Sequence, residues 1–423
     1  MHKVKKITLP NGLRVLLAPQ PQGLAASVLI LVAAGSEYET KKVNGVSHFL
    51  EHMVFKGTAN RPRVGQISEE LDALGARSNA FTDQEMTGYY AKVEAKKLPK
   101  VLDIVTDIYL NPVFVPEEIE KERGVIIEEI NMDEDQLPRK VSELFQMLLY
   151  GDQPAGWNVA GTKEILKTIF KKEIAAYRGA RYVMTGTVVV VAGKFNEAAV
   201  MRQIREAFAH LPKGRAAAKL KTVERQKKPA VAVYHKEAGQ SHLVLGFRAF
   251  NQFDPRRYAL QVAANILGGG MSSRLFKRVR EELGAAYYIY AGTSLSLDHG
   301  YFQISAGVEH AKTEIVLRAI LEECRRLRNE DVPIKELRRS KDHMIGGLIL
   351  GLETSDDLAA FYGTQELLTK RILSPEQLTA IIEKITPADI RAVIRDVFRN
   401  DRLNLAIVGP HKNGKALTKI LKL

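Results

Sequence analysis

The sequence predicts an α+β protein of two like units, each a mostly antiparallel sheet packed with helices. Three observations lead there. Apolar runs short enough for strands are bounded by glycine and alternate with helical stretches. The order of these elements occurs twice along the chain. Finally, 423 residues suffice for two or three domains with ample cores. The expected division is a first unit at 1–211, a charged linker containing proline and alanine at 212–229, and a second unit at 230–423. Two units of about 200 residues each point to an internal duplication.

Residues 7–17 read as a hairpin turning at Pro10-Asn11-Gly12. Residues 25–34 form a continuous run, apolar but for Ser27, that reads as a buried strand ended by Gly35-Ser36. A helix around residues 46–53 closes at Lys56-Gly57, and a second, at about 64–74, stops at Gly75. Residues 77–82 and 87–93 read as antiparallel strands. Helices follow at 98–110, 116–130 and about 140–150, then a buried strand at 187–192.

The second half repeats this order. A strand at 243–247 precedes a helix at 255–267, and residues 270–283 lead to Gly284-Ala285 as the earlier helix led to Gly75-Ala76. Gly300-Tyr301-Phe302 parallels Gly88-Tyr89-Tyr90, Val332-Pro333 parallels Val115-Pro116, and a strand at 403–408 matches the one at 187–192. Gly268-Gly269-Gly270-Met271-Ser272-Ser273 suggests a phosphate loop, but it lacks the Gly-Lys-Ser/Thr ending and follows a helix. It reads as a helix end and turn.

The chemistry concentrates in Val46-Ser47-His48-Phe49-Leu50-Glu51-His52-Met53. It contains His-x-x-Glu-His, a zinc-site pattern. On a helix His48 and His52 are i and i+4, with Cβ atoms roughly 5–6 Å apart on one face. That spacing lets two imidazoles share one divalent ion. Glu51, i+3 from His48, points to the same side and could take a proton from a water on the metal. Val46, Phe49, Leu50 and Met53 would bury this helix, and burying three ionisable groups with it is costly unless a metal compensates. A third ligand is needed. The helix opening at Pro116 offers Glu122 and Glu129, two turns apart on one face, with Glu128 about 100° away. The second half has no such motif. The thirteenth residue after Pro116 is Glu129, whereas the thirteenth after Pro333 is Gly346. Only the first unit can hold this metal.

On these residues the sequence resembles the pitrilysin-type zinc peptidases, the inverted zincins. Among them it is similar to the two-domain members, the mitochondrial processing peptidase subunits and their bacterial relatives. The resemblance implies His48, His52 and Glu129 as ligands of one Zn²⁺ per chain, with Glu128 the competing distal ligand. It implies Glu51 as general base and Glu122 as a carboxylate that orients the site. Arg280 and Tyr287 match the family's Arg-x6-Tyr pair, which holds the substrate backbone and stabilises the tetrahedral intermediate. Read from spacing alone they are a surface arginine and a core tyrosine. Asn79 and Ala80, in Ser78-Asn79-Ala80-Phe81-Thr82, match the edge strand on which an extended peptide pairs; Asn79 reads equally as a strand-end residue. The implied activity is a zinc endopeptidase acting on extended peptides or short unfolded segments inside a closed chamber. The implied partner is a second copy, or a related subunit, with Arg280 and Tyr287 acting in trans. The rival reading is a catalytically silent peptide-binding or scaffold subunit, against which the intact motif argues. Two His and one Glu suit zinc, with manganese or cobalt as alternatives.

Composition narrows the rest. Hydrophobic residues at 45% and charged residues at 26% fit a soluble globular protein. The lone Cys324 excludes a disulfide framework and a cysteine zinc site, and suggests a reducing compartment. The positively charged start has no apolar segment after it, and no run of about 18 apolar residues occurs, so no membrane association and a cytoplasmic location are expected. The net charge of +13 is dispersed among acids without interleaved aromatics, which argues against nucleic acid as a partner.

Overall fold

The computed structural model describes residues 4–210 and 214–423. The expected end of the first unit at 211 and the first linker positions, Pro212 and Lys213, lie outside the described residues, as do Met1, His2 and Lys3 of the charged start. Residues 214–229 carry no helix or strand.

Six strands of the first half are β1 (Lys5–Thr8), β2 (Arg14–Pro19), β3 (Ala25–Val32), β4 (Arg77–Thr82), β5 (Thr87–Glu94) and β6 (Thr187–Gly193). Five of the second are β7 (Ala230–His235), β8 (Ser241–Ala249), β9 (Ala286–Leu295), β10 (Gly300–Val308) and β11 (Leu403–Gly409). The first half also holds α1 (Val46–Met53), α2 (Gln66–Ala73), α3 (Leu98–Leu110), α4 (Pro116–Asp135), α5 (Leu137–Tyr150), α6 (Lys163–Leu166), α7 (Lys171–Arg181) and α8 (Glu197–Ala207). The second holds α9 (Arg257–Gly268), α10 (Thr313–Asn329), α11 (Ile334–Leu350) and α12 (Ser355–Thr369), with three further helices beyond.

The sheets run β1-β2-β6-β3-β5-β4 and β7-β11-β8-β10-β9. Without β1 the two orders superpose strand for strand. The chain directions match as well: β2 is parallel to β6, and β7 to β11, while β3 and β8 are antiparallel to both neighbours. The duplication read from glycine and Val-Pro landmarks is thus a repeated topology. Several element ends shift by two or three residues, and two spans differ more. Helix α4 continues to Asp135, beyond the expected end at 130, because Asn131 to Asp135 contain neither glycine nor proline to stop it. The segment expected at 270–283 is a π-helix over Phe276–Glu282 preceded by a turn.

The unbroken apolar runs have a physical cause. In β3, Ala26, Val28, Ile30 and Val32 enter one core while Leu29 and Leu31 enter another on the opposite face. A strand buried on both faces needs no polar alternation. The opposite face of the first sheet is covered by Leu358, Ala359 and Tyr362 of α12, a helix from the second half of the sequence. In the second sheet, Val244, Ala406 and Val408 meet Val141, Phe145 and Leu149 of α5, a helix from the first half. Each compact unit therefore borrows a helix: one comprises residues 1–130, 157–220 and 349–373, the other 131–156, 221–348 and 374–423.

Helix α1 is short, and its start is held from outside. Val46, Phe49, Leu50 and Met53, spaced as one helical face, are fully buried. Gly45 precedes it at φ 97° and offers no capping side chain. Glu39 takes that role. Its Oε2 accepts from Gly45 N at 2.7 Å and Asn44 Nδ2 at 2.9 Å, and its Oε1 accepts from Ser47 N at 2.7 Å and Ser47 Oγ at 2.6 Å. A carboxylate at a helix N-terminus also meets the positive end of the helix dipole. Behind it the turn at 158–161 presses close. A Cβ on Gly161 would lie 2.3 Å from Asn44 O, and one on Gly45 2.6 Å from Ala160 O. Asn158 O also accepts from Asn44 Nδ2 at 3.0 Å. The Trp157–Thr162 stretch, which has no reading from sequence, is the backing of the α1 start.

Burial raises the Glu39 carboxyl to about 7 from 4.5, although the bonds from Ser47, Gly45 and Asn44 pull it down. The folded chain thus binds this proton more tightly than the unfolded chain does. Its contribution to stability is fullest below about pH 4.5 and declines as pH rises towards 7. Glu39→Gln brings an amide donor against backbone N–H groups and should cost about 1–3 kcal/mol. Urea unfolding of wild type and variant across that pH range should also show the wild-type slope flattened in the variant.

Candidate metal centre

Two helices meet at the centre. Helix α1 presents His48, Glu51 and His52. Helix α4 buries Ile119, Ile126 and Ile130 and turns Glu122 and Glu129 to the adjoining side. Arg123 fixes how α4 lies against α1: its guanidinium sits 5.5 Å from the Phe49 ring centre and donates to Ile169 O at 2.9 Å.

His52 is the hinge of the arrangement. Its Nδ1 lies 2.9 Å from Glu122 Oε1, and the other oxygen of Glu122 takes Lys56 Nζ at 2.5 Å. With Nδ1–H donated to Glu122, the lone pair on Nε2 faces Glu129 Oε2 at 3.4 Å. His48 Nε2 lies 3.8 Å from the same oxygen. The imidazole centres are 4.7 Å apart and steeply inclined. Donor atoms of His48, His52 and Glu129 all fall within 4.8 Å of one another. Two ligands about 2.1 Å from a tetrahedral ion stand ~3.4 Å apart, so the spacing suits atoms that share an ion. Two imidazoles and a carboxylate are a zinc-competent set, and the residues fit the metal. Glu128 is exposed, while Glu129 is half-buried in the cluster.

Burial and neighbouring charge pull the groups of this cluster in different directions. Burial alone would pull the His52 imidazole down, but the bond to Glu122 and the charges of Glu129, Glu122 and Glu51 raise it overall. Glu122 is held below the usual carboxylate range: burial opposes this, and His52 and Lys56 outweigh burial. Glu51 goes the other way. Burial raises its carboxyl, a bond with the Thr82 side chain and the nearby His52 pull it back, and Glu129 adds to the rise. Its Oε2 is buried without a hydrogen-bond partner. A half-desolvated carboxylate with a free oxygen is suited to accept a proton.

Thr82, near this base, is the last residue of β4. That strand pairs with β5 alone among the described strands, so its other edge is open. Asn79 and Ala80 lie on it; Asn79 is exposed and its Oδ1 accepts from Ala80 N at 2.9 Å. In the second unit Arg280 and Tyr287 are brought together. Arg280 Nη1 donates to Tyr287 O, and its guanidinium lies 5.3 Å from the Phe276 ring centre. Tyr287 is 59% exposed on edge strand β9, so it is a surface residue and the core-tyrosine reading is wrong. Sequence reading missed Lys56, Thr82 and Glu39. Lys56 is i+4 from His52 and was within reach of a helical-face argument. Thr82 and Glu39 carry no local signal.

Comparison with known proteins gives the family and the fold. Residues 14–163 match the family model described as insulinase, peptidase family M16, and residues 168–344 match the one described as the peptidase M16 inactive domain. An uncharacterized zinc protease of Streptomyces coelicolor is 36% identical over 98% of this chain and 91% of its own length. An uncharacterized zinc protease of Bacillus subtilis is 32% identical over 97% of this chain and 99% of its own. Among solved structures, a protease from Helicobacter pylori matches with a TM-score of 0.91 at 23% identity, covering 97% of this chain and all of that one, which speaks for the fold. Among the described residues no helix is long and apolar enough to cross a membrane. A first half with the metal motif and a second matching the inactive domain are the two parts of one architecture: the chain belongs to peptidase family M16.

Proposed function

We propose that the chain is a zinc-dependent endopeptidase that hydrolyses extended peptides or short unfolded segments in an enclosed chamber. The observation that carries this is the convergence of His48, His52 and Glu129 with a buried, unpartnered Glu51 Oε2 beside them. A zinc ion held by His48, His52 and Glu129 would supply Lewis-acid polarisation of the scissile carbonyl and acidify a water.

The chain's own residues do the rest. Glu51 Oε2 accepts a proton from the attacking water as the new C–O bond forms, then delivers it to the leaving nitrogen as the C–N bond breaks. Glu122 keeps His52 in the tautomer that offers Nε2, and Lys56 holds Glu122 ionised. The open edge of β4 aligns an extended backbone by strand addition, with Asn79 and Ala80 beside it. Arg280 and Tyr287 supply donors for substrate carbonyls and the developing oxyanion, from the second unit of the same chain or of a partner subunit. The partner is a second copy or a related subunit. The full donor set argues for catalysis over a silent scaffold role.

Hydrolysis of a quenched-fluorescence peptide by the purified chain, with and without chelator, tests the proposal. Chelator should abolish the activity. Glu51→Gln should keep its zinc and lose at least about 10³-fold in kcat, the scale of a lost general base; full activity would exclude Glu51 from this role. Glu122→Gln should weaken zinc binding about 10–100-fold, read by competition with a chromophoric chelator. Unchanged affinity would mean that Glu122 does not orient His52.

A further inference from the structure

We infer that the second unit carries a separate site for a phosphate group, free or as the monoester of a small organic molecule. This does not depend on whether the metal centre is catalytic. The site is a cavity of about 300 Å³ between the turn after α9 and helix α11. That volume lies at the lower end of small-molecule sites.

The turn that resembles a phosphate loop forms the floor for a different reason. A Cβ on Gly269 would stand 1.9 Å from Asn265 Oδ1, and one on Gly270 3.3 Å from His343 Nε2. Glycine lets both side chains close over the turn. Ser273 lines the cavity, is 6% exposed, and its Oγ is buried without a hydrogen-bond partner. Such hydroxyls are rare because they forfeit their hydration. A turn about the Ser273 Cα–Cβ bond would bring the hydroxyl to a ligand oxygen in the cavity and restore the bond.

The uncommitted charge in the cavity is positive. Arg339 donates to Ser272 O at 3.2 Å and pairs with no carboxylate among the described residues. Glu336, the carboxylate of the lining, is occupied by the fork of Arg274 at 2.9 and 2.6 Å.

Asn265 decides the last contact. Its Nδ2 donates to Ser340 Oγ at 2.7 Å and Ser340 O at 3.1 Å, so its Oδ1 is the acceptor for His343 Nδ1–H at 2.9 Å. The other nitrogen of His343 is left towards the cavity. The site thus offers a guanidinium, a hydroxyl and one nitrogen able to share a proton. Phosphate matches this set. Free or esterified, it presents at least three terminal oxygens, one each for the guanidinium, the hydroxyl and the ring nitrogen. A carboxylate has two oxygens and is ionised at lower pH. Guanidinium–phosphate pairing is the strong contact of the three.

Calorimetric titration of the full-length chain with sodium phosphate, at ionic strength held constant with chloride, tests the inference. Saturable one-to-one binding is expected, and the same affinity with excess chelator places it away from the metal centre. Arg339→Met should weaken binding about tenfold or more. Ser273→Ala removes only a hydroxyl and should weaken it several-fold with the packing intact. Competition by glycerol 3-phosphate would identify a monoester as the ligand type; its failure to compete would identify free phosphate. Absence of saturable binding, unchanged affinity in both variants, or loss of binding with chelator would overturn the inference.

Discussion

The hydrogen bond between His52 and Glu122 is the contact on which the centre depends. It joins α1 to α4, settles which imidazole nitrogen is free, and sets the register in which Glu129 meets both histidines. A slip of α4 by one residue would swing Glu122 about 100° round the helix. That would strand Lys56, break the bond at 2.9 Å, and replace Glu129 by Glu128 or Ile130. The i, i+4 pair on one helix and the i, i+7 pair on the other are useful only in that alignment. Arg123 over Phe49 and the buried isoleucines of α4 maintain it, and the Glu39 cap fixes where α1 begins.

Much of this was readable because helical and strand periodicities are local. His48, Glu51 and His52 share a face by spacing, and Glu129 lies two turns from Glu122 on the same side. The apolar runs of β3, β6 and β11 announced strands, and the glycine landmarks announced the repeat. What escaped depends on distant parts of the chain. Glu39 caps amides six and eight residues ahead, outside the three-residue spacing of a capping box. The glycine pair at 45 and 161 reflects a contact between segments far apart in sequence. Of the two borrowed helices, α5 was legible as a helix at about 140–150 and α12 was not, and nothing in a helix's own sequence names the sheet it will cover.

The duplication separates two demands. Both units need the same strand order to build a sheet buried on two faces, and both retain it. Only the first needs ionisable groups buried on its opening helix, which a metal and a carboxylate network can compensate. In the second unit Gly346 stands where the first has Glu129, and no His-x-x-Glu-His precedes it, so its chemistry can diverge. The cavity beside Ser273 and Arg339 lies in the half that lacks the His-x-x-Glu-His motif.

The central claim is that His48, His52 and Glu129 hold one divalent ion. X-ray absorption spectroscopy at the zinc edge on the zinc-loaded chain tests it most directly. The predicted result is one zinc with two imidazole nitrogens at about 2.0–2.1 Å, the rest of the shell being oxygen, and loss of one imidazole in His52→Ala. A shell without imidazole, or one unaltered by that substitution, would contradict the account.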